Sequence, residues 1–380
     1  MNDRLSVLML TASFYPHIGG TERQALELSK SLMARGDSVM VLTRRLPGLA
    51  ANERIEGVEV FRAFAPFSGF VNSLCFLFSS FWFMAARRSS YEVIHVHLAS
   101  SPALAACLAG KLFKKRVVVK IGGGRGIGEI AVSSKTLSGR LKLKLLALFN
   151  PQLVAVDSCL LPELEKGGLV SLPCEVVPNG VDCEAFSPAL PEDREAARHE
   201  FGIQGKSPVY VFAGRLAGEK MLGQFLEVWA RSAARRAGVL LIAGDGPLEA
   251  ELRARASALN LWDSAVFLGA RSDIGQVYRA GDVFVLPSVA EGLSNAMLEA
   301  MACGLAVMAT VEGGAANAVG AGGLLFDPRN RDEILRAIDS FAANPELCQS
   351  MGRAAREIAA KNYSMDSVTE RLAVIYSQGA

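Results

Sequence analysis

Two doubly wound α/β domains joined near the middle of the chain are the architecture this sequence predicts, and three observations predict it. The chain has 380 residues, more than one ordinary hydrophobic core accommodates, so two domains are expected. Short runs of Val, Ile and Leu alternate with helix-like segments from end to end, the pattern of parallel strands buried on both faces. The run VPNGVDCEAFSP over 177–188 has the Pro, Asn and Gly content of a linker and divides the alternation into two series.

The first series places strands at Ser6–Leu10, Ser38–Leu42, Val58–Phe61, Val93–Val96, Arg116–Val119 and Leu153–Val156. The second places them at Val209–Ala213, Val239–Ala243, Val266–Leu268, Val283–Leu286 and Ala306–Ala309. Each series reads as one Rossmann-like domain, 1–186 and 187–362, with 363–380 as a closing helix. Hydrophobic residues make up 51% and charged residues 21% of the chain, with a net charge of +2, so nothing global points to nucleic acid. Seven scattered cysteines without a Cys-x-x-Cys spacing suggest reduced thiols in the cytoplasm, neither a disulfide frame nor a zinc site. Leu5–Leu10 runs directly into TASFYPHIGG and reads as a buried strand rather than a signal peptide.

Ligands of doubly wound sheets bind beyond the carboxyl ends of the strands, so the loops that follow strands carry the functional reading. The first contains Gly19 and Gly20 ahead of an amphipathic helix over 22–34; paired glycines let backbone approach a ligand, and the helix start attracts anions. A plain strand-to-helix turn is the alternative. Ala63–Ala86 has no charged residue and eight Phe or Trp side chains. Its polar interruptions and its position between two strands of one sheet favour a crossover helix over a membrane span. A helix with a Phe/Trp face at the membrane interface, near Arg87, Arg88, Lys111–Arg116, Arg140, Lys142 and Lys144, is the alternative.

His95 and His97 in VIHVH are expected on opposite faces at a strand end, either of them able to reach a ligand. IGGGRGIG over 121–128 lacks the strict G-x-G-x-x-G spacing and suits a loop at the mouth of a cleft, with Lys120 and Arg125 as possible contacts.

In the second series, GRLAGEK puts Arg215 and Lys220 in the loop after the first strand. Arg bonds a diphosphate bidentately and Lys acts as a point charge. The Gly244-Asp-Gly-Pro turn and the ARSD segment with Arg271 follow the next two strands, the latter placed to sit beside a nucleotide base. Then comes VFVLPSVAEGLSNAMLEAMACG, with a helix opening near Ser294 or Asn295. Glu291 and Glu299 bracket that anion-attracting helix start, which suggests a ligand combining phosphate with hydroxyls, such as a nucleotide-sugar.

Taken together these motifs resemble the family 4 glycosyltransferases. The matches are IGGTERQALELSKSL, VIHVH, VPNGVD, GRLAGEK, IAGDGPLEAEL, FLGARSD, the Glu-x7-Glu of 291–299 and GGAANAVGAGGLLFD. The resemblance implies the GT-B fold, two Rossmann-like domains facing across a cleft, and metal-independent sugar transfer with retention of anomeric configuration. It implies that Arg215 and Lys220 bind the donor diphosphate, Glu291 the sugar hydroxyls and Glu299 the ribose. Backbone near Leu293, Ser294 and Asn295, together with Gly20, is implied to meet the phosphates. Two positions depart from the family pattern: Gly122 stands where many members have His, and Asn317 where many have Glu. His95 or Lys120 could take over the missing role.

The expectation is therefore a retaining hexosyltransferase using a UDP- or GDP-sugar, with no cofactor beyond that co-substrate. The acceptor is expected to be a glycan or lipid-linked, in cell-surface polysaccharide or glycolipid synthesis, with possible peripheral membrane contact on the cytoplasmic face. A non-catalytic nucleotide-sugar-binding module is the alternative from another class.

Overall fold

The computed structural model describes residues 4–17, 19–66, 69–99, 101–123 and 128–378, and all of these except the side chain of Phe70. Gly124, Arg125 and Gly126 of the glycine-rich loop, and Phe67 and the side chain of Phe70 in the aromatic run, therefore lie outside the described residues. The chain divides into two compact units, 1–180 with 365–380, and 181–364.

The first unit contains β1 (Ser6–Leu10), β2 (Ser38–Arg44), β3 (Asn52–Ile55), β4 (Val58–Ala63), β5 (Val93–His97), β6 (Arg116–Ile121), β7 (Gln152–Ala155) and β8 (Cys174–Val176). They form a sheet of order β3-β4-β2-β1-β5-β6-β7-β8, parallel except for the β3–β4 pair. The second unit contains β9 (Val209–Ala213), β10 (Val239–Ala243), β11 (Ala265–Gly269), β12 (Val283–Leu286), β13 (Ala306–Thr310) and β14 (Gly323–Phe326). Its sheet is parallel throughout, in the order β11-β10-β9-β12-β13-β14. Both sheets are doubly wound, so two Rossmann-like domains are present.

The central strands were predictable because they are buried on both faces and read as unbroken apolar runs. The three strands missing from the sequence reading, β3, β8 and β14, are all short and lie at or next to a sheet edge, and NERI and CEV carry charges there, as edge strands do. The β3–β4 hairpin turns on Glu56 and Gly57, at φ 47° and 85°. Two consecutive positive φ angles are what a type I′ turn requires.

Helix α1 (Gly20–Arg35) packs on one face of the first sheet, and the C-terminal helix Met365–Ser377 packs beside it. Leu26 and Leu32 of α1, and Leu372, Ile375 and Tyr376 of the last helix, close a core with Val7, Met9, Val93, Val118 and Val154. On the other face lie α2 (Gly69–Ala86), α3 (Pro102–Phe113), α4 (Glu129–Ser134) and α5 (Leu137–Phe149), as right-handed crossovers require for strands that step from β4 through β7. The aromatic run is thus a crossover helix: Phe76, Ser80 and Met84, four residues apart, are fully buried. No helix among the described residues is long and apolar enough to cross a membrane.

The core of the second unit joins Phe212, Ile242, Val285 and Met308 of the sheet to the helices Leu222–Trp229 and Arg331–Ala343. Two of its large buried side chains have their polar tips bonded: Tyr210 donates to the Ile338 carbonyl at 2.6 Å and Trp229 to that of Ser264 at 3.1 Å.

Candidate active site

A doubly wound sheet opens a crevice where the strand order reverses, because the loops there run to opposite sides. In the second unit that point lies between β9 and β12, which are neighbours in the sheet. The loop after β9 passes through a 3-10 turn over Gly218–Lys220, and the loop after β12 leads to the helix Asn295–Ala302. The two loops are tied by a hydrogen bond from Val289 N to Glu219 O at 3.0 Å. Across the same gap Lys220 and Glu291 form an ion pair, each side chain mostly buried. A cation and a carboxylate therefore meet at the switch point, in a place sheltered from water where charge interactions count for more.

The Glu291 loop is held from its other side. Gly313, at φ 72°, lies so close to it that a Cβ would stand 2.4 Å from the Glu291 carbonyl oxygen, and Gly314 N donates to Gly292 O at 2.6 Å. Asn317, in the short helix Ala315–Ala318, follows directly. Thr310, at the end of β13, donates to the Ser288 carbonyl at 2.9 Å. Three loops thus position one carboxylate.

Ser294 caps the helix start, its hydroxyl accepting from Met297 N at 3.4 Å; Leu293 precedes it and Asn295 is the first helical residue. Glu299 stands one turn in, buried, with the Tyr278 hydroxyl donating to its Oε2 at 2.9 Å. Arg215 is exposed and has no ion-pair partner among the described residues. The cation pair expected from GRLAGEK is therefore split, with Lys220 held by Glu291 and Arg215 open to solvent.

Gly244 has a backbone role. At φ 139° it lies where a Cβ would stand 1.9 Å from the Gly214 oxygen, and Leu216 N donates to Asp245 O at 2.7 Å. The loops after β9 and β10 are thereby pressed together backbone to backbone, and the following helix opens only at Glu249. Arg271 is engaged by neighbours: its guanidinium bonds Asp273 at 2.8 Å and Glu200 at 2.8 Å and lies 5.1 Å from the Phe201 ring centroid. The hydrogen bond from Arg271 holds the Asp273 carboxyl below its ordinary range.

In the first unit the switch point falls between β1 and β5. Gly19 is the N-cap of α1 and Gly20 its first residue. Glu22, buried in the first turn, folds back so that a Cβ on Gly19 would lie 2.5 Å from its Oε2, and it accepts a hydrogen bond from Ser13.

His95 and His97 correct the sequence reading. Residues two apart in a strand point to the same face, and the two rings lie 4.6 Å apart. Both are buried, and His95 Nδ1 shares a hydrogen bond of 2.6 Å with the Tyr376 hydroxyl of the C-terminal helix. His95 is thus a core histidine, enclosed between the sheet and that helix. Lys120 pairs in register with His97 and is itself buried. Burial, followed by the Lys120 charge, lowers His95 to about 3, and burial lowers Lys120 to about 8.

Two family models account for most of the chain: Glycosyltransferase Family 4 matches residues 18–185 and Glycosyl transferases group 1 matches residues 193–358. The chain belongs to the group 1, family 4 glycosyltransferases. Among relatives of this glycosyltransferase is the GDP-mannose-dependent monoacylated alpha-(1-6)-phosphatidylinositol monomannoside mannosyltransferase of Corynebacterium glutamicum. It is 32% identical over 209 residues, 52% of this chain and 54% of that protein, so the match spans about half of each. The N-acetyl-alpha-D-glucosaminyl L-malate synthase of Bacillus anthracis is 22% identical over 97% of this chain and 96% of its own length. In fold, the chain matches Anabaena HepE, solved in complex with UDP and glucose, with a TM-score of 0.81 at 19% identity, covering 98% of this chain and 100% of that one. The fold is accordingly the GT-B pair of Rossmann-like domains.

Two residues of this glycosyltransferase escaped the sequence reading. Where many family members have His, Gly122 and Gly123 donate their backbone N–H groups to the Glu129 carboxylate, at 3.0 and 3.2 Å. Burial pushes that carboxyl up against the opposing pull of these bonds. A Glu closing a glycine run, GGGRGIGE, was the available signal. Tyr278, the partner of Glu299, carried none, since an aromatic residue in a helix reads as core.

Proposed function

We propose that this chain is a retaining, metal-independent glycosyltransferase that moves a hexose-type sugar from a UDP- or GDP-sugar to a glycan or lipid-linked acceptor. The observation that carries the proposal is the meeting of Lys220 and Glu291 at the switch point of the second sheet. The two satisfy each other, which avoids the cost of an unpaired buried charge. The donor replaces both partners: its diphosphate takes Lys220, and a sugar hydroxyl takes Glu291. Arg215, exposed on the same loop, closes on the diphosphate from outside, and the buried carboxylate of Glu299 receives the ribose hydroxyls.

Such an arrangement supports leaving-group chemistry. As the bond between the anomeric carbon and the phosphate oxygen breaks, negative charge grows on the diphosphate. Lys220 and Arg215 are placed beforehand to meet it, so the cation charge at the leaving group comes from the chain itself. The departing phosphate oxygen takes the proton of the acceptor hydroxyl, which attacks from the same face, and the configuration is kept. The mannosyltransferase relative named for a phosphatidylinositol glycolipid supports a lipid acceptor in glycolipid or cell-surface polysaccharide synthesis, with the enzyme at the cytoplasmic face of a membrane. That relative is named for GDP-mannose, whereas the Anabaena neighbour holds UDP, so both bases belong in the test.

A panel of UDP-, GDP- and ADP-sugars tests the proposal: the full chain is expected to release nucleoside diphosphate from one of them, with the anomeric configuration of the product unchanged by NMR. Binding of a donor without release under any acceptor would make the protein a nucleotide-sugar-binding module. An inverted product would overturn the retaining mechanism.

A further inference from the structure

The helical face α2–α3–α5 of the first unit is apolar where a soluble surface is usually polar. On α2 the residues opposite the sheet, Val71, Leu74, Phe78 and Trp82, recur every three or four positions and are exposed, Phe78 at 61% and Trp82 at 69%. Phe81 stacks on Phe113 with centroids 6.0 Å apart, which fastens α2 to α3. Leu108 and Leu112, one turn apart, carry the exposed stripe across α3. Helix α5 packs against α3 and adds Leu137, Leu141 and Leu148, the last at 73%. Scattered exposed apolar residues are ordinary, but three adjacent helices with matching outward stripes make a contiguous patch.

Charge identifies what the patch meets. Between residues 60 and 156 the chain has thirteen Lys and Arg against two acidic residues, Glu92 and Glu129, in a chain of net charge +2; of the thirteen, Arg62 is paired with Glu53 and Lys120 is buried, and neither faces the patch. Glu129 is spent on Gly122 and Gly123. Exposed cations border the stripes: Arg87 and Arg88 at the end of α2, Lys111 and Lys114 at that of α3, and Arg140 and Lys144 on α5, Lys144 lying within the leucine stripe. Helices lying flat with one apolar face and a cationic border match the surface of an anionic bilayer.

We propose that the α2–α3–α5 face docks this protein on an anionic lipid bilayer, with Phe78, Trp82, Leu112 and Leu148 entering the headgroup boundary and the bordering Lys and Arg paired with lipid phosphates. The helices lie on the membrane; none is built to cross it. The inference extends the lipid-acceptor reading above by naming the surface that brings the enzyme to its acceptor. Its test reads membrane binding rather than sugar transfer, so each can fail without the other.

The test is co-sedimentation of the full chain with vesicles of equal parts phosphatidylglycerol and phosphatidylcholine, or of phosphatidylcholine alone. Binding to the anionic vesicles is expected to exceed that to the neutral ones and to weaken as salt rises. Changing Lys111, Lys114 and Lys144 to Gln is expected to cut partitioning roughly a hundredfold, at about 1 kcal/mol for each basic residue near the surface. Phe78→Ser with Trp82→Ser is expected to cut it at least tenfold; both side chains are exposed, so the melting temperature should be unchanged. In a Trp262→Phe background, where Trp82 is the exposed indole and Trp229 is buried, emission is expected to shift to the blue on anionic vesicles alone. Equal binding to both vesicle types, undiminished binding of the variants, or self-association of the chain that the Phe78/Trp82 variant abolishes without any vesicle effect would each overturn the proposal.

Discussion

Lys220 and Glu291 are 71 residues apart in the chain and form one ion pair, joining the loop after β9 to the loop after β12. Neither loop makes a site by itself. A GRLAGEK segment is a pair of cations on a surface turn, and an EGLSN segment is a carboxylate before a capped helix. Only the strand order, which makes β9 and β12 neighbours, brings them to one point. In the proposed function, this pair is where the donor meets charge of both signs.

Tyr278 supports Glu299 and can be tested separately. Tyr278→Phe keeps the buried ring but removes the hydroxyl that bonds Glu299 Oε2. Losing a bond to a buried carboxylate costs about 1–3 kcal/mol. The variant should melt lower and, if Glu299 receives the ribose, should bind nucleoside diphosphate more weakly in calorimetric titration. Wild-type affinity with a lowered melting temperature would assign the Tyr278–Glu299 bond to structure alone.

Gly244 separates backbone from ligand roles. Gly244→Ala puts a methyl 1.9 Å from the Gly214 oxygen at a φ of 139°, so the loops after β9 and β10 must part. The melting temperature is expected to fall steeply, by far more than that of Gly275→Ala, where nothing lies within 4 Å of the added carbon. Equal stability of the two variants would contradict the packed-loop reading.

Lys120 makes the first unit pH-sensitive in a calculable direction. Burial holds it at about 8 against an ordinary value of 10.5, so the unfolded chain binds this proton more readily. At pH 7 that opposes folding by up to about 3 kcal/mol, and the penalty disappears as pH rises through 8 towards 10.5. Lys120→Met should raise the melting temperature at pH 7, with a gain that shrinks as the medium becomes alkaline. On the acid side the sign is the same, because His95 is lowered too: held near 3, it costs nothing above 6.5, and stability falls as pH drops from 6.5 towards 3. A lower melting temperature of the Lys120→Met variant at pH 7 would contradict the burial argument.

Much of this architecture was readable because burial on both faces writes itself into composition: the unbroken apolar runs of β1, β9, β10 and β12 could hardly be anything but central strands. NERI and CEV could not be read that way, since edge strands trade apolar runs for charge. Lys220 and Glu291 stood out as residues of the right chemistry after strands, but their contact was hidden in the strand order. His95 and His97 were misjudged by a period-two error, and the Tyr376 that encloses His95 comes from the far end of the chain. The Glu129 carboxylate could have been suspected from the glycine run before it. The Tyr278 hydroxyl had no local signature.

The most direct test of the account is the turnover of Lys220→Ala and Glu291→Ala with the donor that wild type uses. Each variant should keep the wild-type fold by circular dichroism and lose about 10²–10³ in kcat, the cost of removing one preorganised group from a charge-stabilised transition state. If both retained turnover near the wild-type rate, the paired loops after β9 and β12 would not be the place where the sugar is transferred.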